Sequence, residues 1–231
     1  MARTADADRG SLTKGGEEKS PYFLNFIIRD SNVLDVKPTL ALRLFDNLKG
    51  MQMHSTKVKT TDSMIYTGEL NGTPLGNLRL AASDFGLVAV EWAESQPEFD
   101  SYLARLKRPI QPNPKRIAPY AKELREYLNG KRTAFTISID WMSFTPFQRE
   151  ALQAIFRIPY GETRTYIEIA REINRPLAYR AVGAANAMNP MPLVIPCHRV
   201  IGADGKLHGY GGGEGLPTKE WLLKMEGAVM T

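Results

Sequence analysis

The 231-residue sequence has one cysteine, Cys197, and three histidines, His54, His198 and His208. A lone cysteine excludes an intramolecular disulfide, and this stock of soft ligands is too small for a structural zinc site, so no metal is expected. A reducing, intracellular setting suits such a chain. No run is long and apolar enough for a membrane span. The first twenty residues, MARTADADRGSLTKGGEEKS, are polar, small and charged, without the apolar core of a secretory signal, and read as a disordered tail. The glycine-rich stretches lack the GxxxxGK[ST] pattern of a phosphate loop. What remains, at 43% hydrophobic and 24% charged residues, is a chain able to bury one or two ordinary cores.

The net charge of +5 is unevenly placed. Residues 1–110 hold 14 Lys and Arg against 14 Asp and Glu, whereas residues 111–231 hold 16 against 11, so the excess lies in the second half. From Arg157 to Arg199 every basic residue is arginine, the side chain suited to phosphates and base edges. A solvated basic face is the plain alternative.

Residues 21–135 read as a small α/β domain with an antiparallel sheet. YFLNFII suggests a strand, PTLALRLFDNL a helix, and MHSTKVKTTDSMIYTGEL a loosely alternating strand or loop. Two alternating runs flank SDFG in TPLGNLRLAASDFGLVAVEW and predict a hairpin, followed by a helix around EFDSYLARL. KRPIQPNPK, with three prolines, reads as a linker, followed by a helix over RIAPYAKELREYLNG; the boundary falls between Gly130 and Asp140. Residues 136–231 read as mainly helical. Thr145 with Gln148, and Thr165 with Glu168, have capping-box spacing; Phe147, Ala151, Leu152 and Ile155 share one face, as do Ile167, Ala170 and Ile173. YIEIAREI and LAYRAVGAANAM, joined by a short turn, have the outline of a helix-turn-helix, an outline many helical domains share.

Cys197 follows MPLVIP, an apolar run between prolines that reads as a buried strand ending where the cysteine begins. His198 and Arg199 follow at once, and cationic or basic neighbours favour the nucleophilic thiolate. Neighbours on a strand point to opposite faces, so His198 needs a turn or a bridging water to reach the thiol. The glycine-rich GADGKLHGYGGGEGLP lets backbone approach a ligand closely, or serves as a flexible connection.

The combination of RAVGAANAMNPMPLVIPCHRVIG, GYGGG and KEWLLKMEG resembles the O6-alkylguanine-DNA alkyltransferases, with TPFQREALQAIFRIPYGETRTY matching the start of their active-site domain. The resemblance covers roughly residues 70–227 and implies direct-reversal repair. The alkyl group of O6-alkylguanine, with O4-alkylthymine as the lesser expectation, passes irreversibly to Cys197 after nucleotide flipping, one lesion per chain and with no cofactor. It implies that His198 takes the thiol proton through a water and Glu226 orients the imidazole. Asn189 ties the helix pair to the active-site strand; Tyr166 rotates the target phosphate and donates a proton to the leaving guanine. Arg180 fills the vacated stack. Thr165, Tyr166, Arg180, Ala181, Gly183 and Ala184 would meet DNA; the small residues of the second helix, Ala185 among them, suit a narrow minor groove. Pro196, Val200, Tyr210, Gly211 and Gly212 would line the pocket. The implied partner is duplex DNA bound by a monomer, with no membrane.

The sequence departs from the family pattern in EGLP, about two residues longer than the common spacing in the loop walling the pocket. A non-enzymatic lesion binder is the alternative, disfavoured by the presence of Cys197. A DNA-binding regulator leaves the thiol without a role, and a cysteine hydrolase would turn over.

Overall fold

The structure, a computed structural model, describes residues 63–228. The expectations for the first twenty residues, YFLNFII and PTLALRLFDNL lie outside that range.

The first described element is a sheet of β1 (Ile65–Thr73), β2 (Gly76–Ser83), β3 (Gly86–Trp92) and β4 (Ile110–Pro112), in the order β3-β2-β1-β4. SDFG is the hairpin turn between β2 and β3, with the Ser83 hydroxyl accepting the Phe85 N–H at 3.1 Å. Gly86 adopts φ 142°, and a Cβ there would lie 2.6 Å from the Ser138 carbonyl, so only glycine lets residues 138–140 run along β3.

The sheet is mixed, not antiparallel throughout. After β3 the chain crosses back through α1 (Gln96–Arg105), and β4 then pairs in parallel with the free edge of β1, Ile65 opposite Ile110. Most of the expected linker is therefore structured. Pro112 is tolerated in β4 because it is an edge strand of three residues. Asn113 then caps α2 (Pro114–Leu128) by accepting the Arg116 N–H. One face of α2, Ile117, Leu124, Tyr127 and Leu128, is buried. Residues 131–138 carry no helix or strand, and Ile139 only bridges to Leu87. Nearby, Arg108 and Asp140 form a buried ion pair at 2.8 Å, with Asp140 also accepting from Ser83.

The second half is helical, as its capping signals predict. Both capping boxes form, Thr145 with Gln148 opening α3 (Pro146–Phe156) and Thr165 with Glu168 opening α4 (Tyr166–Glu172). In α4 the buried residues are Ile169, Ala170 and, just beyond it, Ile173; Ile167, expected inside, is half-buried because the helix begins at Tyr166 and turns that position outward. Residues 173–178 lead to α5 (Tyr179–Ala187), which packs on α4 and α3. One apolar cluster runs from Leu80 and Val90 of the sheet to Ile155, Ile169 and Val182 of the helices.

MPLVIP is not a strand. Residues 190, 192 and 196 are prolines without an N–H for a ladder. Leu193 has φ 75°, and the Ile195 N–H returns to the Met191 carbonyl at 2.9 Å. The segment is a buried turn leading into a 3-10 turn, Cys197–Arg199. Only then comes β6 (Val200–Ile201), in parallel with β5 (Arg164–Thr165). The chain ends its described part with α6 (Leu216–Met225).

Candidate active site

Three chain segments converge on Cys197. The β5–β6 pair sets Tyr166, the first residue of α4, beside the Cys197 turn. Asn189 fixes the turn from the other side: its amide donates to the Ile195 carbonyl at 2.8 Å and its side-chain oxygen accepts the Met191 N–H at 3.0 Å. The end of α6 supplies Glu226. Cys197 is 6% exposed, His198 fully buried and Glu226 5% exposed.

The His198 Nε2 lies 3.0 Å from Glu226 Oε1. Its Nδ1 is buried without a hydrogen-bond partner, which leaves one nitrogen oriented by the carboxylate and the other open. Burial pushes the imidazole below its usual 6.5 despite the hydrogen bond it donates to Glu226, so His198 is neutral at pH 7. Burial works against ionisation of Glu226 too. Hydrogen bonds from His198 and Arg199 overcome it and hold the carboxylate at about 2. Arg199 supplies two of them, Nε to Oε2 at 2.8 Å and a terminal nitrogen to Oε1 at 2.9 Å, and anchors itself on the Ile158 carbonyl. The Gly161 N–H and the Tyr127 hydroxyl also donate to Glu226.

The thiol itself is at rest. Desolvation raises Cys197 above its ordinary 9.0, against the opposing pull of the nearby Asn189 amide, the charge of Lys219 and the Tyr210 hydroxyl. The Tyr210 hydroxyl is buried with no settled partner, so it is placed to donate to the sulfur once that is charged. Lys219, fully buried, donates to the carbonyls of Val200 at 2.7 Å and His208 at 3.1 Å, tying β6 to the first part of the glycine-rich loop; burial lowers it to about 8. The EGLP stretch closes that loop as a turn, the Gly215 N–H on the Gly212 carbonyl at 3.0 Å and the Glu214 N–H on the Thr218 hydroxyl at 2.9 Å.

The expected residues thus fall into three groups. Cys197, His198, Glu226, Asn189 and Tyr166 meet at one centre. Pro196 and Val200 are buried in the turn and β6, while Tyr210 and Gly212 belong to the loop above and Gly211 is exposed. On α5, Arg180, Ala181 and Ala184 are exposed, and Gly183 is half-buried, where a Cβ would stand 3.8 Å from the Tyr166 ring. Ala185 is buried in the core, so it is not on the outer face with them. The Thr165 hydroxyl is engaged in capping α4. Arg180 lies 5.6 Å over the Tyr179 ring, and among the described residues no carboxylate pairs with it.

Sequence reasoning missed Tyr127, Arg199 as the clamp on Glu226, Lys219 and Asn186. The Asn186 amide reaches the Tyr166 hydroxyl at 3.4 Å and the Cys197 carbonyl at 3.5 Å. Arg199 and Lys219 were readable inside CHR and TKEWLL; Tyr127, 71 residues before His198, carried no local signal.

A single buried cysteine, a histidine–carboxylate pair beside it and a helix pair with small and basic residues outward define a thiol nucleophile or acceptor built for a polyanionic substrate. Comparison with known proteins makes this specific. Residues 66–141 match the 6-O-methylguanine DNA methyltransferase ribonuclease-like domain, and residues 146–228 match the 6-O-methylguanine DNA methyltransferase DNA binding domain. The chain is 42% identical over 154 residues to the methylated-DNA–protein-cysteine methyltransferase of Methanosarcina barkeri, covering 67% of this chain and 92% of that protein. It is 48% identical over 111 residues to the inducible enzyme of that name from Bacillus subtilis, covering 48% and 60%. The crystal structure of Mycobacterium tuberculosis OGT in complex with DNA superposes with a TM-score of 0.58 at 38% identity, over 71% of this chain and 92% of that one. The chain belongs to the methylated-DNA–protein-cysteine methyltransferase family.

Proposed function

We propose that this protein repairs alkylated DNA by taking the alkyl group of O6-alkylguanine onto Cys197, irreversibly and once per chain. The observation that carries the reading is the buried cysteine next to a histidine whose one nitrogen is held by an ionised carboxylate and whose other is open. Family membership supports DNA repair by alkyl transfer to cysteine.

The steps follow from this chain's own residues. The target oxygen lies inside the base stack, so the nucleotide leaves the duplex before a sulfur can approach in line. His198 takes the thiol proton through one water, forming an imidazolium that Glu226 stabilises. The sulfur then attacks the alkyl carbon as the carbon–oxygen bond breaks with its electron pair on guanine. Tyr166, its hydroxyl held by Asn186, donates a proton to the leaving guanine. Tyr210 hydrogen-bonds the charged sulfur until the new bond forms. The product is a thioether, which intracellular thiols do not reduce, so a reducing compartment suits a protein that must keep Cys197 free until used.

In this reading residues 136–231 carry acceptor and DNA contacts, and the stretch before them, described from residue 63, belongs to the other domain. The exposed small face of α5 enters the minor groove as the second helix of a helix-turn-helix, and Arg180 takes the place of the flipped nucleotide. Thr165 and Tyr166 approach the backbone beside it, and the protein acts as a monomer. The test is intact-protein mass after incubation with a duplex carrying one O6-methylguanine, followed by peptide mapping. A gain of one methylene equivalent on Cys197, saturating at one per chain, is expected. Lesion-selective binding with no mass gain would instead identify a non-enzymatic lesion binder.

A further inference from the structure

β3 touches the second half of the chain at three points. Near its start, the Leu87 N–H donates to the Ser138 carbonyl at 2.9 Å and its carbonyl accepts the Asp140 N–H at 2.8 Å. In its middle, the Val90 N–H donates to the Pro190 carbonyl at 2.8 Å, on the turn leading to Cys197. At its end, Trp92 lies against the glycine-rich loop that carries Tyr210.

The Trp92 indole is 4% exposed, and its N–H is fixed on the Leu75 carbonyl at 3.0 Å, at the β1–β2 turn. A Cβ on Gly212 would stand 2.5 Å from Cζ3 and 2.7 Å from Cη2 of that indole, and 2.9 Å from Cε1 of Tyr210. On Gly213 it would stand 2.7 Å from the Thr218 Oγ1 and 3.1 Å from the indole Nε1. The Gly212 backbone therefore rests where the two rings meet. Gly211, Gly212 and Gly213 contribute no side chains of their own, and a glycine run takes its shape from the surface beneath it. Lys219 pins the loop at Val200 and His208, before Tyr210; the stretch after Tyr210 rests on the indole at Gly212 and Gly213 and, from there on, on the Thr218 hydroxyl.

We propose that Trp92 is a positioning residue that sets the width of the alkyl pocket, holding the Gly212–Gly213 backbone, and through it the Tyr210 ring, at a fixed distance from Cys197. The proposal rests on the alkyl transfer described above. It makes a residue of the sheet, outside the acceptor half, the determinant of which alkyl groups react: with the indole in place the wall cannot retreat, and bulky groups are disfavoured relative to methyl.

The experiment compares rates of transfer to Cys197 from one duplex carrying either O6-methylguanine or O6-benzylguanine, read by intact mass. Trp92→Leu is expected to raise the benzyl-to-methyl rate ratio by about tenfold or more, the scale of discrimination by a pocket of fixed size. Trp92→Phe, which keeps a ring under Gly212, is expected to stay within about threefold of wild type on the same scale. A merely structural role would lower the thermal midpoint and both rates together without moving the ratio. An unchanged or lowered ratio in folded Trp92→Leu overturns the proposal. If that variant does not fold, Trp92→Met is read for the same ratio and decides it the same way. Absence of methyl transfer by the wild-type protein itself would overturn the alkyl-transfer reading instead, before any variant is compared.

Discussion

The pH dependence of transfer discriminates between a free thiolate and one made on demand. Burial lifts Cys197 above 9.0, so direct ionisation at pH 7 leaves less than about 1% thiolate and costs at least about 2.7 kcal/mol, at 1.36 kcal/mol per unit. A free thiolate would give a rate climbing tenfold per pH unit to beyond pH 9. The His198 route gives another shape. Its imidazole sits below 6.5 and is a neutral base at any higher pH, while Glu226, held at about 2, is charged throughout. The rate should therefore rise as His198 loses its proton below pH 6.5, then stay level to about pH 8.5, short of thiol ionisation. Free O6-benzylguanine is the substrate of choice, because it removes the pH and salt dependence of DNA binding, and intact-mass time courses at fixed ionic strength are the assay. A log-linear climb of unit slope through pH 9 would refute the relay. His198→Phe should convert the level profile into that climb.

Glu226→Gln should cost about 3–5 kcal/mol in urea unfolding, because it leaves the Arg199 guanidinium buried and unpaired. The wild type should show the same interaction on acidification. Glu226 lies below its ordinary 4.5 when folded, so its contribution is present above pH 4.5 and is lost as pH falls through about 2, some 3 kcal/mol in all. A cost under about 1 kcal/mol would mean that water reaches the guanidinium. Arg180→Ala should slow repair in a duplex by about tenfold or more, since nothing then offsets the few kcal/mol of unstacking, yet leave reaction with free O6-benzylguanine unchanged. Equal loss on both substrates would remove Arg180 from flipping. Gly86→Ala should destabilise by about 1–3 kcal/mol, through strain at φ 142° and a methyl on the Ser138 carbonyl. A thermal midpoint like that of wild type would show that residues 138–140 move aside freely.

What was legible in the sequence was local. Both capping boxes, the SDFG turn and the helices over EFDSYLARL and TKEWLL follow from a few neighbouring residues, and each formed as expected. The expected centre could be named because its parts lie in motifs, Cys197 and His198 within PCHRV and Glu226 within KMEG. The errors concern long-range pairing. Nothing in KRPIQPNPK tells that Ile110 will lie beside Ile65, because a parallel partner is chosen by the crossover between them. MPLVIP has the composition of a buried strand, and burial was right; its three flanking and internal prolines rule out a ladder, which apolar composition alone concealed. Ile167 was misjudged by one helical position, and Ala185 was grouped with exposed neighbours by size alone. Tyr127 and Trp92 enter the site region from the sheet half with no pattern to mark them.

The Glu226 cluster has a consequence for folding kinetics. Its carboxylate is satisfied by groups 27, 28, 65 and 99 residues away along the chain, from α2, the α3–β5 connection and the Cys197 turn. Every one of those contacts closes a long loop, and such contacts form late because loop entropy is lost before they contribute. The full set of hydrogen bonds on Glu226 is thus a property of the finished fold, because its donors come from both halves of the chain. For a reagent that can be used only once, that ordering keeps the thiol unarmed until the chain that must recognise the lesion is complete.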